Sequence, residues 1–271
     1  MTAPATGIYY DVPDAEYRGW DAMNYSRLKL LAVSVEVFAW REKHPQQPSR
    51  SMAIGTAVDM LISDPAAAVE SIVVNPSTAT SKAGKEFALE NCDKVVLTEA
   101  EHKTAIACWQ SLVTTTETAA ILSAGKPQVC GVWTDAEWNQ LCKMRIDRET
   151  DAALVDIKTT ANIDLPLFAR DAERFGYHIQ AAFYRDGYLA LTGKAKPFTI
   201  IAVETQQPHR VKVYPFGDAS LLAGRMAYKR GLYNYTLCLK SKVWRDAVEE
   251  ELEIPAYALR AEGIEPERMD F

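Results

Sequence analysis

Within RIDRETDAALVDIKTT, residues 145–160, two carboxylates and one ammonium are spaced for chemistry. Asp156 and Lys158 stand two apart in a stretch that reads as a strand, so both project from one face of a sheet. Asp147 ends the preceding predicted strand, and a hairpin turn brings it alongside them. Hard divalent cations take oxygen ligands of this kind, and phosphodiester hydrolysis exploits the result. The cation neutralises the scissile phosphate, acidifies an attacking water and supports the leaving oxygen, while a neighbouring lysine orients that water and stabilises the developing charge. Asp-x-Lys alone is common as a salt bridge on a strand surface. The preceding Asp on a paired strand is what lifts it above that background.

Gln180 and Tyr184, in YHIQAAFY, lie four apart and share one face of the next predicted helix. Over the sheet edge, an amide and a phenol there can hold a phosphate or a water. The bland alternative is a helix packing its aromatics into the core. Arg27 and Lys29 on a first helix, and Lys82 and Lys85 in a basic loop, are candidate phosphate contacts. Glu204, near the end of a fourth strand, is a candidate outer-shell carboxylate. His44, His102, His178 and His209 show no ligand spacing and read as structural or exposed, although His178 lies near Gln180.

The elements that must position these residues follow from periodicity. Residues 1–20 read as extended or irregular. From Asn24, NYSRLKLLAVSVEVFAWREK is an amphipathic helix with Ser26 as its N-cap. HPQQPSRS is a polar loop, and MAIGTAVDMLISDP is a helix that Pro65 ends. NPSTATSKAGK, residues 75–85, reads as an exposed loop, and residues 97–124 as helical. After Gly125-Lys126-Pro127 the period becomes two. VCGVWTDAEW and LCKMRIDRET form a predicted hairpin, and AALVDIKTT is a third strand. Cys142, Met144 and Ile146 alternate with Lys143, Arg145 and Asp147, which puts an apolar face on the core and a charged face toward a cleft. A helix from about Pro166 to Leu191 is closed by Thr192-Gly193. PFTIIAVET and RVKVYPF are further strands, and a long helix spans roughly 218–242. This order predicts an α/β (α+β) single domain, with a mixed central sheet flanked by helices. Its parts are a helical region of about 1–125, a catalytic sheet core of about 126–215 and a C-terminal helix and tail, 216–271.

The chain has 271 residues, enough to bury a substantial core in one large domain or two modest ones. Hydrophobic residues make up 48% and charged residues 24%, the balance of a globular protein rather than a disordered or fibrous one. No apolar run reaches about 18 residues, so no membrane span is expected. MTAPATGIYYDV lacks the basic and apolar regions of a signal peptide, so a cytoplasmic location with reduced cysteines is expected. Cys92, Cys108, Cys130, Cys142 and Cys238 form no C-x-x-C pair. Neither a zinc site nor an iron–sulfur cluster is therefore expected, and all five read as small buried hydrophobes. The net charge of -6 gives no overall basic footprint for nucleic acid. A carboxylate-rich site beside one groove lined by basic residues reconciles the two.

Taken in order, Asp147, Asp156-Ile157-Lys158, Gln180 and Tyr184 give D…(D/E)-x-K…Q-x-x-x-Y, and the chain resembles the PD-(D/E)XK nucleases. More narrowly, it resembles their RecE-type (exonuclease VIII) branch, common in bacteriophages and prophages, over most of its length. YSRLKLLAVSVEVFAW is similar to that branch's first helix, IGTAVDMLISDP to its second, TSKAGK to its basic loop and KSKVWRDAVEEELEIPAYA to its ending. The motifs are specific as an ensemble and weak singly. The resemblance implies a PD-(D/E)XK core and an exodeoxyribonuclease of phage-type homologous recombination. Such an enzyme uses Mg²⁺ or Mn²⁺ to degrade one strand of linear double-stranded DNA, 5′ to 3′. It implies that Asp147, Asp156 and the Ile157 main-chain carbonyl hold one cation, and that Asp59 and Asp147 contact a second. Lys158 would position the attacking water, with Gln180 and Tyr184 steadying the phosphate side. Double-stranded DNA ends, a single-strand annealing recombinase and a ring-shaped homo-oligomer are the implied partners.

Asp59 is the departure from that pattern, since the branch usually carries histidine there. An aspartate replaces nitrogen by oxygen and adds a negative charge, so it bears on metal preference rather than on nuclease identity. Two rival readings share parts of this one. A sequence- or structure-specific endonuclease uses the same chemistry but cuts closed circles. A non-catalytic DNA-end or recombinase-binding module would not need the intact Asp-Ile-Lys.

Overall fold

The computed structural model describes residues 2–46, 48–248, 260, 261 and 263. The N-terminal part runs β1 (Gly7–Tyr9), α1 (Asp14–Gly19), α2 (Tyr25–Leu31), α3 (Val35–Lys43), α4 (Arg50–Ser63), α5 (Pro65–Ser71) and β2 (Ile72–Val74). It continues with α6 (Lys82–Glu90), β3 (Val95–Leu97), α7 (Glu99–Thr114) and α8 (Thr116–Ser123). The rest runs β4 (Lys126–Asp135), β5 (Gln140–Glu149), β6 (Leu154–Thr160), α9 (Leu165–Arg174), α10 (Tyr177–Thr192), β7 (Phe198–Glu204), β8 (Val211–Pro215) and α11 (Asp218–Ser241).

The period-two stretches pair into one six-stranded sheet of order β1-β4-β5-β6-β7-β8. β6 and β7 are parallel, and every other neighbouring pair is antiparallel, so the sheet is mixed as expected. Alternation along the strands gives it two apolar faces. On one, Val129, Met144, Ile146, Leu154 and Ile200 pack with Leu28 and Leu31 of α2, Phe183 and Tyr188 of α10, and Tyr228 and Leu232 of α11. On the other, Val155, Ile201 and Val203 meet Ala57 and Val58 of α4 and Ala105, Cys108 and Leu112 of α7. Each fully buried side chain of this kind contributes roughly 1.5–3 kcal/mol. Together they fix α4 and α10 on opposite faces of the strands that carry the charged motif.

Several local expectations change in the folded chain. Residues 1–20 contain a strand and a helix. β1 pairs with β4, and α1 brings Tyr17 and Trp20 onto Cys130 and Val132. That segment also covers part of the charged face of β5, which therefore does not all line a cleft. Lys143 is buried, and its ammonium donates to the carbonyls of Tyr17 and Trp20 (2.9 and 2.6 Å). The helix expected from Asn24 is two helices. Asn24, not Ser26, caps the first by accepting from the Arg27 N–H, and the Ser34 hydroxyl caps the second by accepting from the Val37 N–H. A serine that can bond its own downstream backbone competes with helix continuation, which explains the break.

The stretch 75–85 is a loop only as far as its Ser81 N-cap, so Lys82 and Lys85 sit in α6. The short parallel pair β2-β3 was not legible, because three-residue strands carry no period. The helical region 97–124 divides at Thr115, and the helix expected from Pro166 divides at Gly176, whose φ of +72° suits glycine. Cys92 is exposed, whereas the other four cysteines are buried as expected. Among the described residues no helix is long and apolar enough to cross a membrane. Of the C-terminal segment expected at 240–258, Trp244 stacks on Phe38, and residues 249–258 lie outside the described residues.

Candidate active site

β5 and β6 pair through Arg148↔Val155 and Glu149↔Leu154, and one further step of that register sets Asp147 across from Asp156. There a side chain takes over from the ladder: Asp147 Oδ2 accepts the Ile157 N–H at 2.8 Å. On the other side, β6 keeps unbroken parallel register with β7 from Leu154 to Thr160, which holds Asp156 and Lys158 in place. Asp156 is only 2% exposed. Its Oδ1 accepts from Gln180 Nε2 of α10, and its Oδ2 is paired with the Lys158 ammonium.

Asp59 arrives from the opposite face. α4 lies so close to β6 that a Cβ on Gly55 would meet Thr159 Oγ1 at 3.2 Å. One turn later Asp59 Oδ1 accepts from Gln128 Nε2 (2.8 Å), which also donates to Ser63 Oγ (3.0 Å). Gln128 holds this position with a left-handed φ of +49°, uncommon for a residue with a side chain.

Charges decide the character of this cluster. Burial, then the neighbouring Asp156 and Asp59 carboxylates, push the Asp147 carboxyl well above the ordinary range against the opposing pull of Lys158. Asp59 is raised by burial and by Asp156, with Arg145, Lys158 and its Gln128 hydrogen bond opposing. Burial alone would lower Lys158, but Asp156 and then Tyr25 and Asp147 hold its proton affinity above the usual lysine range, so it is an ammonium at neutral pH. Burial lowers the proton affinity of Arg148, and the Asp59 charge works against that shift.

Buried polar atoms without a hydrogen-bond partner gather here: Gln128 Oε1, Gln180 Oε1, Asp156 Oδ2 and Arg148 Nε. Three of these are oxygens, and Asp156 Oδ2 has its ion pair with Lys158 alone. Lone pairs of this kind, beside the Asp147 and Asp59 carboxyls raised by burial and then by neighbouring carboxylates, suit a small hard cation. The site is not preformed, however. Each carboxylate is turned to a protein donor, and among the described residues no three His, Cys, Asp or Glu side chains are grouped to hold a metal ion.

The structure thus brings together Asp59, Asp147, Asp156, Lys158 and Gln180. Ile157 contributes its N–H to Asp147, while its side chain packs into the second core cluster. Tyr184 is a core residue, buried edge-on against Tyr25 and Phe198, with its hydroxyl raised first by burial and then by surrounding charges that include Asp156 and Asp147. Lys29 lies close enough to Lys158 that, after burial, the second ammonium lowers its proton affinity. Arg27 points elsewhere, pairing with Glu42 at 2.7 Å and lying over Phe38 and Tyr235.

Lys82 pairs with Glu86 of its own helix, and no contact ties Lys82 or Lys85 to the carboxylates. Glu204 is engaged by partners other than the carboxylate cluster. It clamps Arg210 and accepts the Ile163 N–H, and these bonds hold its carboxyl below the usual range. His178 lines a separate groove of about 320 Å³ with Phe168, Tyr214 and Phe216. His209 is bonded to the Glu204 carbonyl, and His44 stacks on Trp40.

Gln128, Tyr25 and Tyr177 are the residues that sequence reasoning missed. Tyr177 precedes Gln180 by three positions, so helical spacing could have placed it on the same face. Nothing in the local sequence marks Gln128.

A family model described as "PDDEXK-like domain of unknown function (DUF3799)" matches residues 26–252. No curated protein matches the sequence. Among solved structures, the crystal structure of a "Putative exonuclease" from Eubacterium rectale is similar to this chain. The likeness has a TM-score of 0.65 at 16% sequence identity and covers 93% of this chain and 98% of that one. At that identity it speaks for the fold.

Proposed function

The chain belongs to the PDDEXK-like domain family that matches it over residues 26–252, and from that premise we propose that it is a divalent-cation-dependent deoxyribonuclease acting on the ends of linear duplex DNA. The observation that carries the proposal is the convergence of Asp59, Asp147 and Asp156 on one protonated lysine. Asp147, Asp156 and the Ile157 carbonyl would hold one Mg²⁺ or Mn²⁺, and Asp59 with Asp147 a second. When bound, such a cation supplies Lewis-acid polarisation of the scissile phosphate.

The protein's own groups do the rest. Lys158 is held as an ammonium beside Asp156. It orients the attacking water by donating to it and stabilises charge developing on the phosphate oxygens. Gln180 fixes the Asp156 carboxylate through Oδ1 and leaves Oδ2 to face Lys158. Hydrolysis forms one bond from water oxygen to phosphorus and breaks the bond to the leaving deoxyribose oxygen, which takes up a proton as the attacking water gives one to solvent. The finer reading is 5′-to-3′ removal of one strand, leaving a 3′ strand for an annealing recombinase in the cytoplasm of a bacterial host. A ring of copies around the DNA would suit that task.

The test uses linear duplexes labelled at either end, with and without Mg²⁺ or Mn²⁺, beside a covalently closed plasmid. Cation-dependent loss of the 5′ label from linear duplex, with the circle spared, is the expected result. Efficient cutting of the circle would make the chain an endonuclease, and no hydrolysis with either cation would sink the proposal.

Asp59 gives a second expected result. Asp59→Ala should weaken cation binding and lower turnover sharply, by about 10-fold to 100-fold if it acts as an outer support and more if it is a direct ligand. Asp59→His should restore activity with Mn²⁺ favoured over Mg²⁺, because imidazole suits later transition metals. Titration calorimetry with each cation and initial rates on linear duplex are the measurements. An unaffected Asp59→Ala protein would reduce this side chain to a structural partner of Gln128.

A further inference from the structure

The turn between α9 and α10 carries an aromatic and cationic stack to which the proposed chemistry gives no role. Phe175 is 39% exposed. The Arg174 guanidinium lies 4.4 Å from its ring centroid. Beneath it, Phe175 stacks on Tyr177 at 5.8 Å with 29° between the planes. Tyr177 in turn lies 5.0 Å from the Lys158 ammonium. Phe175 is therefore one ring beyond the ring that carries the catalytic lysine.

The stack is held from below and capped above by the exposed Arg174 side chain. The Tyr25 hydroxyl donates to the Phe175 carbonyl at 3.4 Å. Gly176 turns the chain at φ +72°, and a Cβ there would lie 3.6 Å from Lys29 Cβ. The Lys29 ammonium sits 5.6 Å over the Tyr25 ring. Asp171 pairs with Arg174 at 3.0 Å and partly offsets its charge, while Lys29 and Lys158 add two further cations along the same line.

We propose that this stack is a platform for a single DNA strand, with one base taking the place of the exposed Arg174 guanidinium on the outer face of Phe175 and the adjoining phosphates running past Arg174 and Lys29 toward Lys158. The proposal rests on the reading of the carboxylate cluster as a nuclease centre. An aromatic ring beside cations is the combination that binds unpaired strands without regard to sequence, because every base offers a π-face and every linkage a charge. A base inside a duplex already has both faces stacked and cannot reach Phe175 without leaving its neighbours. That requirement is met most easily at a frayed end. The platform therefore selects the terminal nucleotide of an opened end and sets the next phosphate beside Lys158. It accounts for end preference through stacking rather than through recognition of any base.

The test is strand binding in EDTA, where hydrolysis does not intervene. A fluorescein-labelled single-stranded oligonucleotide is titrated with the full chain and followed by anisotropy. A second strand carrying 2-aminopurine at its 5′ end reports stacking directly. Phe175→Ala is expected to bind about 5- to 150-fold more weakly and to lose the 2-aminopurine quenching. Phe175→Tyr should keep both within about twofold, because it keeps the ring. Thermal melts of both variants check that the exposed substitution leaves the fold intact. Unchanged affinity in Phe175→Ala, or an equal loss in Phe175→Tyr, overturns the platform. Phe175-dependent binding in a chain that hydrolyses nothing with Mg²⁺ or Mn²⁺ would retain the platform and overturn the nuclease centre, so the two failures are distinguishable.

Discussion

Lys158→Ala is expected to lower hydrolysis of linear duplex by about 10²–10³-fold or more, the usual cost of removing one preorganised group that meets developing charge. Cation binding should survive, because the lysine is not a ligand and its loss leaves Asp156 more exposed to the field of Asp147. Asp156→Asn should match the loss of rate but should also weaken cation binding. The amide keeps the volume and an oxygen for Gln180 Nε2, yet it removes the charge that balances Lys158. Asparagine is a better probe than alanine here. It opens no cavity beside Gln180, and the melts register the buried charge that Asp156→Asn and Lys158→Ala each leave uncompensated, typically about 3–5 kcal/mol. Initial rates on end-labelled duplex, beside calorimetric cation titrations and thermal melts, separate these effects. Near-normal activity from either purified variant would remove the strand motif from the mechanism.

The strand motif was legible because its geometry is local. Two residues apart on a strand means one face, and a short connection means an adjacent strand, so Asp147, Asp156 and Lys158 could be brought together without knowing the rest of the fold. In β5 the sheet was legible for the same reason, since Cys142, Met144 and Ile146 alternate with Lys143, Arg145 and Asp147, whereas β7 is buried throughout and reads as a short continuous apolar run. Asp59 was placed by resemblance, and only the packing of α4 across β6 brings it to the other carboxylates.

Gln128 could not be read at all. Its reach to Asp59 depends on a left-handed backbone at the start of β4 and on a partner 69 positions away. Arg27 and Lys29 part in the folded chain, because two positions apart on a helix point about 200° from one another at 3.6 residues per turn. Only Lys29 faces Lys158. The N-terminal strand and helix escaped because three and six residues hold too little pattern to count.

The electrostatics of Asp147 lead to the second large expected effect. Its folded carboxyl binds a proton more tightly than in the unfolded chain, through burial and the charges of Asp156 and Asp59. For a group raised in this way, the native state binds more protons than the unfolded state across the interval between the two values. Stability from this residue is therefore fully present below the ordinary carboxyl range and is lost as pH rises toward the raised value. Above the ordinary carboxyl range the cation-free protein bears a standing cost, either in holding the proton or in the repulsion once it is lost.

Asp147→Asn removes the charge, and its amide oxygen can still accept the Ile157 N–H. The cation-free variant is expected to melt higher than the parent at pH 7–8, with the gap closing as pH falls into the range where Asp147 is protonated anyway. A divalent cation should do the opposite. Mg²⁺ or Mn²⁺ at about 100 times its Kd stabilises the parent by about 2.7 kcal/mol. That gain should be greatest at high pH, where no proton competes, and absent in Asp147→Asn, which should also lose about 10²–10³-fold or more in hydrolysis. Thermal melts across pH with EDTA, Mg²⁺ and Mn²⁺ measure every part of this. A variant that melts lower than the parent at neutral pH, or that still gains stability from cations, would show that Asp147 is not where the like charges meet and not where the cation binds.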